Sequence, residues 1–261
     1  MRTVTKLVYP KFIAAAAICL GATLGTARAQ VLVNREPVAL EYEIHFREEP
    51  QPVGTCSISF EPIETPDGRR LQVKADIAYD LELRTPIQYR EKAELFCAGD
   101  GLESFDVEIE TNGAVRTVHG VREDNEFAVE IVGGGRTIER NVTAGVRRTN
   151  YGLFCGAFLE EPLDQDPIFR DYPLFFPAAG DHEGRQKIRE GVMPFILVRG
   201  EAVRAIFTTL RKPDETSNRY WNAAEPPQML LRKEETTGYG KLIYVLSTYN
   251  GVSYKADDPN E

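Results

Sequence analysis

The sequence has few of the residues from which metal and redox sites are usually built. It contains 4 cysteines and 3 histidines in 261 residues. No CxxC or CxxCH pair occurs, which argues against a thioredoxin-like redox site and against covalent c-type haem. His45, His119 and His182 follow no zinc-ligand spacing. We therefore predict neither a metal site nor a cofactor.

Signals of nucleophilic catalysis and of nucleic-acid binding are also missing. There is no GxSxG elbow, and Gly133–Gly135 is not followed by a helical pattern that could bind phosphate. The chain has 31 Lys and Arg against 40 Asp and Glu, a net charge of -9, which opposes contact with a phosphate backbone. We predict a protein that binds no nucleic acid and is not an enzyme; an enzyme of unrecognised chemistry is the third of three hypotheses.

Residues 1–29 have the pattern of a cleaved secretory signal. Basic residues between Arg2 and Lys11 precede the apolar run Phe12–Leu24, and Ala27–Ala29 supplies the small-x-small cleavage pattern. The apolar run is too short to span a bilayer comfortably. Cleavage after this pattern leaves 232 residues with 27 basic and 40 acidic side chains, a net charge of -13. We predict a periplasmic protein whose mature chain has no transmembrane segment.

From Ala39 onward, apolar and polar residues alternate with the period of two that is typical of strands. The alternation is clearest over Leu71–Leu83, and Asn112-Gly113 is a strong two-residue hairpin signal. Gly133-Gly134 predicts a second tight turn. Strands at this spacing, joined by tight turns, indicate an antiparallel sheet rather than βαβ units.

A Pro- and aromatic-rich stretch, the crossing segment (residues 150–191), interrupts the alternation. Its prolines oppose a long helix, and we predict short helical turns around Leu159–Asp164 and His182–Glu190. Strands resume after it. The sequence therefore predicts a single mainly β domain over residues 30–261, with an antiparallel sheet of about 10 to 12 strands.

One apolar face runs along strand after strand, and three arrangements share this pattern: a sandwich, a filled barrel, or a sheet curled around a cavity. A cavity would be lined by inward-facing aromatic and aliphatic residues. The candidate lining residues are Tyr42, Ile44, Phe46, Ile58, Phe60, Ile77, Tyr79, Trp221 and Tyr244.

Short strand-like motifs stand at both ends of the mature chain. They are Leu40–Ile44, Val53-Gly54, Trp221, Pro226-Pro227, Leu230–Lys233 and Gly240–Tyr244. Together they resemble a domain-of-unknown-function family of Gram-negative envelope proteins. The resemblance implies a curved, incompletely closed antiparallel β-barrel, similar in shape to periplasmic lipoprotein carriers and lipocalins, and no catalytic residues. Phe96–Ala98 departs from the family, where a Trp is expected.

Three cysteines follow the signal sequence, and three pairings are open to Cys56, Cys97 and Cys155. Cys56 and Cys97 fall on next-but-one strands of a simple meander, about 9.5 Å apart and too far for a disulfide. We therefore favour a Cys97–Cys155 bridge, which leaves Cys56 buried and inert.

Two hypotheses of function stand before the enzyme. In the first, the protein binds a hydrophobic or amphipathic envelope molecule, such as a lipid, on its apolar face. In the second, the barrel is filled, and the protein acts as an envelope assembly or adaptor protein through contacts with another protein. A ligand-sized apolar cavity favours the first hypothesis and a packed interior favours the second.

Overall fold

The computed structural model describes most of the chain from Glu36 onward. The described residues are 36–98, 101–143, 149–155, 170–171, 174–183, 186–198, 201–212, 216–225 and 227–253. The predicted signal peptide (1–29) and the predicted helical turn at 159–164 lie outside these residues.

Eight consecutive antiparallel strands form the first part of the fold. They are β1 (Val38–Phe46), β2 (Pro52–Thr65), β3 (Gly68–Leu81), β4 (Ile87–Ala98), β5 (Gly101–Thr111), β6 (Ala114–Glu123), β7 (Glu126–Gly133) and β8 (Arg136–Thr143). Each pairs with the next along the chain. This is the meander that the period-two alternation predicts.

The second part begins with short elements and ends in a second meander. A 3-10 turn (Tyr151–Phe154) precedes β9 (Arg170–Asp171), β10 (Leu174–Phe176) and β11 (Asp181–Glu183). The longer strands are β12 (Gln186–Val198), β13 (Glu201–Arg211), β14 (Ser217–Ala223), β15 (Leu230–Thr237) and β16 (Gly240–Tyr249), followed by the short β17 (Val252–Ser253).

One antiparallel sheet joins the two meanders, because β1 pairs with both β2 and β16. The order across the sheet is β8-β7-β6-β5-β4-β3-β2-β1-β16-β15-β14-β13-β12-β9, with β17 beside β16. The ends of this order, β8 and β9, are not hydrogen-bonded to each other in the described residues. The predicted class, a mainly β, incompletely closed antiparallel barrel, is confirmed.

Two of the predicted hairpin turns show the backbone conformation that their residues favour. Asn112 and Gly113 both have positive φ, 51° and 80°. The second turn lies one residue later than predicted: Gly133 ends β7, and the central residues are Gly134 and Gly135, with φ of 58° and 72°. Positive φ at both central residues gives a turn whose twist matches that of the flanking strands. These turns set the register of β5 with β6 and of β7 with β8.

The described sheet has fifteen strands, of which β9 and β17 are two residues long, and the other thirteen compare with the about ten to twelve predicted. One detail of the prediction is wrong. The predicted helical turn at His182–Glu190 is replaced by β11 and the start of β12. Pairing of β12 with β13 along ten register positions outweighs the local sequence preference here.

Among the described residues, no helix has the length and apolar character needed to cross a membrane.

Candidate functional site

Eight of the nine predicted lining residues lie together on one face of the sheet, here called the inner face. They are Tyr42, Ile44, Phe46, Ile58, Phe60, Ile77, Tyr79 and Tyr244, and their exposed fractions run from 0% to 8%. They belong to one continuous hydrophobic core that extends over both meanders. The alternation therefore identified the inner face correctly, and the remaining question is what covers it.

The crossing segment covers part of the inner face with its own aromatic side chains. The Phe154 ring meets the Tyr42 ring edge-on, with 5.3 Å between centroids, and the Tyr244 ring at 6.4 Å. The Tyr42 hydroxyl donates a hydrogen bond to the Leu230 carbonyl oxygen at 2.9 Å. The polar end of Tyr42 is thus satisfied within the protein, as expected of a buried core tyrosine.

A second contact fills the inner face near β5–β7. Phe175 is fully buried and lies 5.2 Å from the Phe105 ring and 5.0 Å from the Phe127 ring, centroid to centroid. At Gly180, where φ is +62°, an added Cβ would lie 2.7 Å from a methyl group of Val129. Backbone and side chains of the crossing segment therefore pack directly on the sheet, and the interior at these positions is protein core.

Trp221 does not join the other predicted lining residues. Its cross-strand neighbours are Phe207 on β13 and Arg232 on β15. The Trp221 ring lies 4.8 Å from the Phe207 ring, and the Arg232 guanidinium carbon lies 5.7 Å from its centroid. Its strand neighbour Tyr220 is the residue that points into the core. Trp221 is half-buried and packs against the core from the edge of this cluster, and the short strand β14 has no clear alternation to show which of its faces is buried.

A buried carboxylate forms the centre of a polar cluster on the inner face. Glu91, 6% exposed, accepts a hydrogen bond from the Tyr151 hydroxyl at 2.6 Å and another from the Tyr89 hydroxyl. The Tyr89 ring stacks on Tyr79 with 4.9 Å between centroids. Burial and the charge of Glu91 raise the pKa of Tyr151 well above its ordinary value, so this hydroxyl remains a hydrogen-bond donor.

Sequence reasoning missed Glu91, although a signal was present. Its register partners are Ile77 on β3 and Ile109 on β5, both inward-facing apolar residues. A carboxylate in a row of apolar residues breaks the alternation, and such a break marks a buried polar group that needs partners.

A buried ion pair extends the polar cluster on the other meander. The Lys233 ammonium nitrogen lies 2.7 Å from a Glu235 carboxylate oxygen and 4.5 Å from the centroid of the Tyr244 ring. Burial favours the neutral amine, but the charge and hydrogen bond of Glu235, together with Tyr220 and Cys56, outweigh it and raise the pKa of Lys233. Lys233 is therefore charged, and the half-buried Glu235 balances its charge.

The predicted Cys97–Cys155 disulfide is not formed, since Cys56, Cys97 and Cys155 are all thiols. Cys97 lies in β4, in register with Leu71 and Leu102. Cys155 instead bridges to Met229, and its thiol donates to the Pro227 carbonyl oxygen at 3.4 Å. The crossing segment enters the sheet beside β15 rather than beside β4, which the sequence does not show. Cys56 is 1% exposed, and burial raises its pKa to about 12.

The opposite face of β1–β6 carries a groove, here called the outer groove, with a volume of about 820 Å³. Six strands contribute three consecutive residues each, from Ala39–Glu41 in β1 to Thr117–His119 in β6. The middle residue of each triplet is buried on the inner face. Because side chains alternate between faces, the two flanking residues of each triplet point outward and form two polar rows.

Charged side chains dominate the outer groove. Its lining includes five carboxylates, two lysines and His119, a net charge of -3 when the imidazole is neutral. The Lys74 ammonium lies 3.7 Å from a Glu94 oxygen, and His119 Nδ1 lies 2.7 Å from an Asp106 oxygen. Within the described part of the chain, no three His, Cys, Asp or Glu side chains converge so as to hold a metal ion. The groove therefore offers hydrogen-bonding and charged groups to a partner.

Comparisons with known proteins agree with the fold and assign no activity. A beta-barrel-like protein of the domain of unknown function DUF1849 from Brucella abortus superposes with a TM-score of 0.55 and 11% identity, over 83% of this chain and 98% of that chain. At that identity the likeness shows the fold alone. No curated protein matches the sequence. Residues 42–173, half of the chain, match the domain of unknown function DUF6134, and the chain therefore belongs to this uncharacterised family, as its strand motifs predict.

Proposed function

We propose that this protein is a secreted, non-enzymatic binding protein, a filled barrel that contacts another envelope protein through its outer face. One observation carries the proposal: the crossing segment packs on the inner face, whereas the outer face of β1–β6 bears an open groove of about 820 Å³. A face that is already packed has little area left for a ligand, and an accessible groove is where a partner can bind.

The pattern of residues 1–29 supports secretion to the periplasm. The basic start, the short apolar run and the Ala27–Ala29 cleavage pattern are the three parts of a cleaved signal sequence. Detection of a mature chain that begins at Gln30 in a periplasmic fraction is the expected result. A chain that retains residues 1–29 would contradict this part of the proposal.

The pairing of the buried charged groups supports a non-enzymatic role. Glu91 accepts hydrogen bonds from two tyrosine hydroxyls, and the Lys233 ammonium forms an ion pair with Glu235. Catalytic acids and bases are usually aimed at a space where substrate can bind. The contacts of these groups are instead those of a satisfied polar network in a core.

Binding of an amphipathic molecule such as a lipid is the second candidate function. The observation that favours it is that the buried charged groups Glu91 and Lys233 lie among the apolar side chains of the inner face. Polar groups beside apolar surface suit a ligand with a head group and an acyl part. In this protein, such a ligand would have to displace side chains of the crossing segment.

Native mass spectrometry of the secreted chain from Gln30 onward separates the two candidates. Gentle purification from a periplasm should yield the bare mass of the chain. An additional small-molecule mass that organic solvent releases would contradict the filled-barrel proposal and favour the amphipathic ligand.

Site-specific photo-cross-linking in living cells tests the outer groove directly. A photoreactive residue at Ser57, which lines the groove, should give a discrete cross-linked species. The matched control is Val252, which is 67% exposed and lies outside the groove lining. No species from Ser57, or the same species from both positions, would contradict the proposal.

A further inference from the structure

The shape of the outer groove limits what can bind there. Neighbouring strands lie about 4.8 Å apart, so the six strands give a length of about 24 Å. The two polar rows are separated by two residues along each strand, about 7 Å. A groove of this length and width matches an extended chain of roughly seven residues.

The polar rows run across the strands, and this direction sets the mode of binding. One row passes through Asp76, Lys92 and Glu108 in direct register. The backbone groups of β2–β5 are already paired on both sides within the sheet. A bound chain therefore cannot be added as another strand, and recognition must come from the groove side chains.

The two lysines of the groove already face carboxylates. Lys92 lies in register between Asp76 and Glu108, and Lys74 lies 3.7 Å from Glu94. The five carboxylates exceed these lysines by three charges. The excess repels anionic ligands such as phosphates and attracts cationic ones.

Two of the carboxylates oppose each other directly. Glu94 on β4 and Asp106 on β5 are register partners, and their side chains are 42% and 63% exposed. Like charges directly opposite each other destabilise a sheet. A cationic side chain placed between them would relieve this repulsion.

From this shape and charge we infer that the outer groove takes an extended, basic segment of a partner protein, which lies across β1–β6 with its Lys or Arg side chains among Glu94, Asp106 and the neighbouring carboxylates. The inference rests on the proposed function and names the chemistry of its partner. An apolar segment would fit this groove poorly. It would bury the charged side chains of the groove lining against apolar groups and leave those charges unpaired.

Fluorescence anisotropy with a labelled eight-residue peptide of alternating Lys and Ala tests the inference on the chain from Gln30 onward. The peptide should bind, binding should weaken as salt is raised, and the matching Glu/Ala peptide should not bind. The double variant Glu94→Gln/Asp106→Asn should bind the basic peptide about tenfold more weakly.

The chain offers a closely matched control. Glu123 and Glu126 are also exposed register partners, at the β6–β7 hairpin and outside the groove lining. Glu123→Gln/Glu126→Gln removes the same two charges and should leave peptide binding unchanged. An equal loss in both double variants would show attraction to net charge alone and overturn the groove assignment.

Two further results would overturn the inference: no binding of the basic peptide, or equal competition by a free polyamine at the same charge concentration. These results are distinguishable from failure of the proposed function. If Ser57 still cross-links to a protein while the basic peptide does not bind, the partner chemistry is wrong and the adaptor proposal stands. If Ser57 gives no cross-link, the adaptor proposal itself fails.

Discussion

The two faces of β1–β6 are made from the same strands and differ in what covers them. On the inner face, Phe105 and Phe127 pack against Phe175 of the crossing segment. On the outer face, Asp106, one position from Phe105, is 63% exposed in the groove. Alternation along one strand thus produces a packed core and an open polar surface.

The comparison shows why an apolar, aromatic-rich sheet face is weak support for a ligand cavity. The chain itself supplies Tyr151, Phe154 and Phe175 to cover that face, and all three are at most 2% exposed. The surface that remains open is the polar one. In the sequence, its residues have the pattern of the solvent-exposed face of an ordinary strand. Substitutions on the packed inner face should therefore cost more stability than substitutions at exposed positions.

Phe175→Ala should be the most destabilising change. It removes a fully buried ring that lies against Phe105 and Phe127, and such changes cost about 3–5 kcal/mol of the free energy of unfolding. Urea unfolding followed by fluorescence measures the loss. Val252→Ala, at a 67% exposed position, should change stability by less than about 0.5 kcal/mol. A small loss from Phe175→Ala would mean that the crossing segment is not part of the core.

Lys233→Met should cost about 2 kcal/mol, because it removes the ammonium group that lies 2.7 Å from the half-buried Glu235 carboxylate. The double variant Lys233→Met/Glu235→Leu should recover most of that loss, since an apolar pair of similar volume needs no counter-charge. Thermal and urea unfolding measure the loss in free energy of unfolding for the single and the double variant. An equal loss in the two variants would show that the pair has a structural role beyond its charge.

Tyr151→Phe should cost about 1.5 kcal/mol, since it removes one hydrogen bond to a buried carboxylate. A double-mutant cycle with Glu91→Gln measures the interaction between the crossing segment and β4. The expected coupling is larger than about 0.5 kcal/mol. Strictly additive effects would show that the Tyr151–Glu91 contact does not hold the crossing segment on the inner face.

Glu234→Gln should have the smallest effect and should depend on pH. Partial burial disfavours the Glu234 carboxylate, but the hydrogen bonds and charges of Arg232 and Lys241 together outweigh this and lower the pKa of Glu234 below its ordinary 4.5. A lowered pKa adds stability above about pH 4.5 that is lost as pH falls through the folded value.

The free energy of unfolding of the wild type should therefore exceed that of Glu234→Gln by about 0.5 kcal/mol at pH 7, and the difference should shrink as pH falls through the folded pKa. Urea midpoints measured from pH 7 downward follow it. A difference that does not change with pH would contradict an electrostatic origin.

Much of the fold could be predicted because its signals are local. The Leu71–Leu83 alternation became β3, and the glycine turn at Asn112-Gly113 became the β5–β6 hairpin. The predictions that failed concern long-range contacts. The His182–Glu190 turn became strand through pairing with β13, and Cys155 lies beside Met229 rather than Cys97. Neither β13 nor Met229 can be identified as a partner from the residues next to these segments in the sequence.

The candidate site could be predicted only in part, for the same reason. Eight of the nine predicted lining residues lie on the inner face, because inward position follows from period two. The excess charge of the outer groove depends on which residues become neighbours across strands, as Glu94 and Asp106 do. Glu91 could have been found from its break in the apolar row, but only one of its tyrosine partners, Tyr89, is nearby on β4, and the other, Tyr151, lies in the crossing segment.

Most of the strands, most of their turns and the apolar side of the first meander follow from local sequence, since each depends on residues a few positions apart. That the crossing segment covers the apolar face, and that the open groove lies on the polar face, follows from the packing of the whole chain. Those outcomes depend on contacts such as Phe175 with Phe105 and Tyr151 with Glu91. Such contacts join residues far apart in the chain, and packing of the whole molecule selects them.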